Sequence, residues 1–144
     1  MTDATAAPVI VRDDGFHAED LRAAFVPSDA LPANGPLLVD VAPDADLAPL
    51  LARLDDVAVV RVAFPSSADG RGFTIAGVLR RAGYAGRLRA AGHVLADQYA
   101  MARRMGFDEV EIDAALAARQ PEDQWRARAD WRAHSYQARL RAAG

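Results

Sequence analysis

The run Val57-Ala58-Val59-Val60-Arg61-Val62-Ala63-Phe64, closed by Pro65, decides the fold class. It is rich in β-branched residues and bounded by a proline, the signature of a buried strand. Alternation along it puts Val59, Arg61 and Ala63 on one face and Val60, Val62 and Phe64 on the other. One face is wholly apolar, and the other carries a charge.

The same asymmetry recurs on either side. Leu37-Leu38-Val39-Asp40-Val41, Arg87-Leu88-Arg89-Ala90-Ala91 and Glu109-Val110-Glu111-Ile112 read as strands. In each, one face is apolar while the other holds Asp40, then Arg87 and Arg89, then Glu109 and Glu111. Between the strands, apolar residues fall at helical spacing: Leu47, Leu50, Leu51 and Leu54, then Phe73, Ala76, Leu79 and Ala82. A third helix is expected from His93, with Val94, Gln98, Met101 and Met105 on one stripe and Gly106 as its left-handed cap. Such connections are too long for hairpins, so the strands should run parallel with right-handed crossovers.

The expected fold class is therefore α/β, with four parallel β/α units resembling half of a (β/α)8 barrel. All helices would then cover the apolar face. A small doubly wound parallel sheet is the alternative, although it would have both faces apolar. Residues 1–36, interrupted by Pro27, Pro32, Asn34 and Gly35, read as an irregular amino-terminal segment. Within it, Val9-Ile10-Val11 could form a short edge strand ending at Asp13-Asp14-Gly15. Residues 37–144 form a single β/α domain that includes a carboxyl-terminal helix over 121–142. On that helix Trp125, Ala129, Tyr136 and Leu140 make one stripe, for packing back on the domain or for pairing two chains.

On the charged face, Arg61 and Arg89 stand at similar distances from the ends of their strands and should be lateral neighbours. Two like charges side by side need a carboxylate or a bound anion between them. Two readings stand together: a cross-strand ion-pair ladder of Asp40, Arg61, Arg89 and Glu111, or a face that binds a small anion.

Ligands of parallel α/β folds bind at the carboxyl ends of the strands. The loop after Phe64 holds Asp69-Gly70-Arg71, either a tight turn with an internal ion pair or an anion cradle at a helix start. The next loop holds His93. With Asp97 one helical turn on, His93 is a candidate acid or base, or simply a helix-start residue.

The chain has 144 residues, of which 51% are hydrophobic and 26% charged, the balance of an ordinary globular protein. It has no cysteine, which excludes disulfides, thiolate nucleophiles and Cys-ligated metal or iron–sulfur centres. All basic side chains are arginines, so Schiff-base and P-loop lysines are excluded too. A net charge of -3 gives no general attraction to nucleic acid. Neither a membrane span nor a signal peptide is legible, so a cytoplasmic location is expected. The three histidines form no metal-binding pattern, and no metal or cofactor site is expected.

Several short motifs in order resemble the bacterial family catalogued as domain of unknown function 934. They are Phe64-Pro65, Asp69-Gly70-Arg71, Leu79-Arg80-Arg81, Gly83-Tyr84-Ala85-Gly86, Leu88-Arg89-Ala90, Gly92, Val94, Asp97-Gln98, Gly106-Phe107-Asp108 and Ser135-Tyr136-Gln137. The resemblance covers roughly Leu31 to Gln137. It departs from the family pattern at Ser66-Ser67-Ala68, where an aromatic is frequent, and at His93, where an acidic residue is frequent.

The resemblance implies a setting beside assimilatory sulfite reductase and sulfate-reduction genes, where such proteins are often labelled probable oxidoreductases. It brings no established catalytic residues. The leading expectation is an accessory protein of assimilatory sulfate and sulfite reduction that binds an oxyanion or docks to the sulfite-reducing enzyme. Its ligand-binding candidates are Arg61, Asp69, Gly70, Arg71, Arg89 and Gln98. One rival is an oxidoreductase-type enzyme with a borrowed flavin or nicotinamide, using Asp97 or His93 for proton transfer. Another is a structural homodimer module.

Overall fold

The computed structural model describes residues 7–131, which build a seven-stranded sheet in the order β2-β1-β7-β6-β5-β4-β3. The strands are β1 (Val9–Arg12), β2 (Gly15–Ala18), β3 (Val26–Pro27), β4 (Leu37–Val41), β5 (Val57–Phe64), β6 (Arg87–Gly92) and β7 (Glu109–Ile112). Strands β3 to β7 are parallel and lie in chain order, while β1 pairs antiparallel with β7 and β2 antiparallel with β1. The four strands read from the sequence are β4 to β7. Their order never reverses, so the doubly wound alternative is excluded: that fold needs a switch point where the chain doubles back.

The helices are α1 (Ala48–Leu51), α2 (Arg71–Arg81), α3 (Tyr99–Met105), α4 (Ala114–Arg119) and α5 (Glu122–Arg126). Each contributes buried side chains to one core. Leu50, Phe73, Ile75, Ala76, Leu79, Tyr99, Ala102, Leu116 and Trp125 meet Val39, Val41, Val60, Val62, Phe64, Leu88, Ala90, Val110 and Ile112 there. Phe64, Phe73 and Phe107 pack edge to face at its centre, with ring centroids 5.0 to 6.4 Å apart. The apolar strand faces form the floor of this core, as their alternation requires.

The amino-terminal segment is irregular only in part among its described residues. Three strands lie within residues 1–36, and β1 is interior, between β2 and β7. Its short run of apolar residues is too brief to reveal from sequence that an antiparallel hairpin extends a parallel sheet. Because β2 and β3 occupy opposite edges, residues 19–25 must cross the charged face to join them. The strap therefore covers the Arg87 and Arg89 part of that face, while Asp40, Arg61 and Ala63 stay partly exposed. Ile10 and Val59 are buried on its side of the sheet, in register with Glu111 and Arg87, outside the main core.

Two helix expectations need correction. The third helix does not begin at His93: a 3-10 turn covers Ala96–Gln98 and α3 starts at Tyr99. The buried face is consequently Tyr99 and Ala102, and Met101 is exposed. Gly106 does close the helix, with φ 114°. At the carboxyl end, α5 stops at Arg126 and no helix continues through residues 127–131. Trp125 is buried edge to face against Tyr99, and its indole N–H donates to the Gln120 carbonyl at 2.8 Å. That residue packs back on its own domain. Tyr136, Leu140 and the Ser135-Tyr136-Gln137 motif lie outside the described residues. Among those described, no helix is long and apolar enough to cross a membrane.

Candidate functional site

Strand register builds the charged face residue by residue. Asp40 stands opposite Arg61, Arg61 opposite Arg89, and Arg89 opposite Glu109. The two arginines are the lateral neighbours their strand positions imply. What separates their charges is Glu111, whose Oε1 accepts from Arg61 at 3.2 Å and from Arg89 at 2.8 Å. Arg61 also grips Asp40 with two N–H donors, at 2.6 and 2.9 Å. The ion-pair ladder is therefore present, and it extends further than the sequence suggests.

Arg89 is 0% exposed. It donates to Glu109 at 2.6 Å and, bidentately, to Glu19 of the strap at 2.6 and 2.9 Å. Asp20, the next strap residue, accepts from Arg87 at 2.7 Å and from Arg12 at 3.2 Å. The Phe25 ring lies 3.9 Å from the Arg61 guanidinium carbon, a cation–π contact on the same side. Burial works against the charge of Arg89, but Glu19 and Glu109 outweigh it and hold the guanidinium more firmly protonated than usual. Burial likewise pushes the Glu109 carboxyl up, and the hydrogen bonds from Arg87 and Arg89 bring it below its ordinary value. Arg87 holds Asp20 down to about 2.

The remaining site candidates are each engaged locally. Arg71 donates to Asp69 at 2.6 to 3.2 Å, and both lie at the surface, so Asp69-Gly70-Arg71 is a turn closed by its own ion pair. Gln98 accepts from the Leu95 N–H at 2.9 Å and donates to the Ser67 carbonyl at 2.7 Å, tying two loops together. Asp97 pairs with Arg128 at 2.9 Å. Because the helix starts late, His93 and Asp97 do not share a helix face, and no hydrogen bond joins them among the described residues. The family-like Arg80 holds the carbonyls of Tyr84, Gly86 and Gly106 at 2.7 to 3.0 Å, a purely architectural task.

A cavity of about 900 Å³ opens at the carboxyl ends of β4, β5 and β6. Pro27, Val41, Pro49, Ala63 and Ala91 give it apolar walls, and Arg61 reaches into it between Asp40 and Glu111. Asp29, Asp44 and Asp46 add carboxylates at its rim, which makes its lining acidic on balance. A smaller adjoining cavity of about 340 Å³ is lined by Gly92, His93, Glu111 and Asp113. The structure thus brings Arg61 to the cavity and buries Arg89 beneath the strap. Asp69, Gly70, Arg71 and Gln98 line neither cavity.

Glu19, Asp20 and Phe25 were not legible as site residues. Their partners lie as far as 70 positions away, and no local spacing records such a contact. The acidic pair Glu19-Asp20 inside a segment of otherwise mixed character was the only available signal.

Residues 38–144 match the family model described as bacterial protein of unknown function (DUF934), and the chain belongs to that family. Comparison with the curated proteins and with the solved structures yields no match.

Proposed function

We propose that this member of the family is an accessory binding protein of assimilatory sulfate and sulfite reduction, with the carboxyl-edge cavity as its recognition site. The cavity carries the binding part of this reading. It lies where parallel α/β sheets hold their ligands, its walls are apolar, and a few fixed polar groups converge in it. The metabolic setting rests on the family resemblance. The chain-order succession of β3 to β7, with every helix feeding one core, supports reading the parallel part as an arc of a (β/α)8-type barrel.

Charge decides between the two routes of action. Asp29, Asp40, Asp44, Asp46 and Glu111 face the single guanidinium of Arg61, so a free oxyanion entering the cavity meets repulsion. A basic or hydrogen-bond-donating group suits it better. Docking to a sulfite-reducing partner through such a group is therefore favoured over oxyanion capture in this cavity. Deleting the gene is expected to impair growth on sulfate and to leave growth on cysteine intact. Equal growth on both sources removes the reading.

His93 at the smaller cavity, beside Glu111, favours a second reading as an enzyme with a borrowed flavin or nicotinamide. A visible absorbance spectrum of freshly purified protein tests for flavin, and loss of turnover in His93→Ala would assign the proton transfer.

A further inference from the structure

We infer that the strap over residues 19–25 occupies, in cis, a binding site for a small divalent oxyanion built from Arg12, Arg87 and Arg89, with the Glu19 and Asp20 carboxylates standing in for the ligand. The site is distinct from the cavity and takes the opposite charge.

Geometry supplies the first ground. Both Glu19 oxygens lie on the two terminal nitrogens of Arg89, the end-on fork by which guanidinium groups hold planar and tetrahedral oxyanions. Asp20 spans Arg87 and Arg12 in the same way. Three guanidinium groups therefore converge on two adjacent strap carboxylates. Those carboxylates carry a total charge equal to that of one divalent oxyanion.

The second ground is charge balance on the sheet itself. Without the strap, Arg12, Arg61, Arg87 and Arg89 face Asp40, Glu109 and Glu111, and the face is cationic. With it, Glu19 and Asp20 bring two carboxylates against the sheet and Arg22 adds one charge on the exposed side, so the positive remainder is cancelled. A row of arginines with a positive remainder, lined up by strand register, attracts an anion as soon as its internal one leaves.

The manner of attachment is the third. Among the described residues, no backbone–backbone hydrogen bond outside regular structure ties residues 19–25 to the sheet. The backbone N–H groups of Asp20 and Leu21 turn inward to the Glu19 side chain instead. Asp20, Arg22, Ala23 and Ala24 are exposed. The strap is held by side-chain ion pairs and by Phe25 on Arg61, so an ion that takes over those pairs can lift it without breaking a sheet ladder.

This inference stands apart from the sulfur-assimilation reading. Binding is measured on purified protein and growth on cells, so failure of one leaves the other intact. The test is calorimetric titration of the intact chain with sodium sulfate and, separately, sodium phosphate, at an ionic strength held constant with sodium chloride. Glu19→Gln, which keeps the side chain's size and removes its charge, is expected to bind at least one of the two at least tenfold tighter than wild type. The preference between the two anions identifies the better ligand.

A second measurement needs no variant. Trypsin cleavage after the exposed Arg22 is expected to accelerate several-fold when the preferred anion replaces chloride, with cleavage after Arg128 unchanged. Glu19→Gln binding neither anion more tightly than wild type overturns the inference. Should that variant fail to fold, a wild-type cleavage rate at Arg22 that is unchanged or slowed by both anions overturns it instead.

Discussion

Glu19 and Arg89, seventy positions apart, meet on the charged face through two parallel hydrogen bonds of 2.6 and 2.9 Å, the arginine fully buried and the glutamate partly exposed. The pair closes a network in which Arg89 also serves Glu109 and Glu111. Such networks contribute little net stability compared with well-packed apolar groups, yet breaking one from inside is costly, because the remaining buried charge loses its partner.

Arg89→Met is accordingly expected to lower stability by about 3 kcal/mol, since Glu109 is 2% exposed and would face a methionine. Adding Glu109→Gln should recover part of that loss. Urea unfolding followed by the fluorescence of the buried Trp125 measures both. A double variant no more stable than Arg89→Met would mean that Arg87 and Arg12 already satisfy Glu109.

Acid should loosen the same network. The Glu19 carboxyl is held below its ordinary value by Arg89, Asp20 is held at about 2 by Arg87, and Glu109 also lies low. Groups with depressed values bind protons more readily unfolded than folded, so their stabilisation is present above about pH 4.5 and lost as pH falls toward 2. Urea midpoints measured across that window should decline with falling pH, and Glu19→Gln combined with Asp20→Asn should flatten the decline.

Gly92, at the end of β6, and Gly70, before α2, should respond differently to alanine. Gly92 has φ 122°, and a Cβ there would run into the Phe64 carbonyl oxygen. Gly92→Ala is expected to cost about 1–3 kcal/mol. Gly70 has φ -86° with nothing near its Cβ position, so Gly70→Ala should stay within about 0.5 kcal/mol of wild type. Thermal denaturation of the two variants side by side checks the contrast.

Arg80→Ala removes the donor shared by three carbonyls that close α2, open β6 and cap α3. A loss of about 2–3 kcal/mol follows from leaving those acceptors without their charged partner. Hydrogen exchange should localise the effect to residues 82–88 and 106–108. A uniform loss of protection would contradict this.

Ala63 faces the cavity from β5 and is exposed there. Ala63→Phe should narrow the cavity while leaving the core face of the strand untouched. The variant is expected to keep the wild-type melting temperature and to fail in restoring growth on sulfate to a deletion strain. Full restoration would separate the cavity from the biological role.

Alternation within Val57–Phe64 and its three companion strands was enough to read four parallel strands, an apolar face, a charged face and the adjacency of Arg61 and Arg89. Each of those properties follows from a period of two residues and from short-range connection rules, which any local stretch of chain expresses. The start of α3 was not legible because Gly92 still closes β6, a loop and a 3-10 turn follow it, and burial of Tyr99 and Ala102 sets the helix phase. The antiparallel hairpin at the sheet edge and the strap over the charged face depended on where distant strands pair. That Asp40 and Glu111 pair with Arg61 and Arg89 was legible from strand alternation, whereas the addition of Glu19 from the strap was decided only in three dimensions. A carboxylate 70 positions away leaves no periodic trace, and its partner is chosen by chain crossing and desolvation once the sheet has formed.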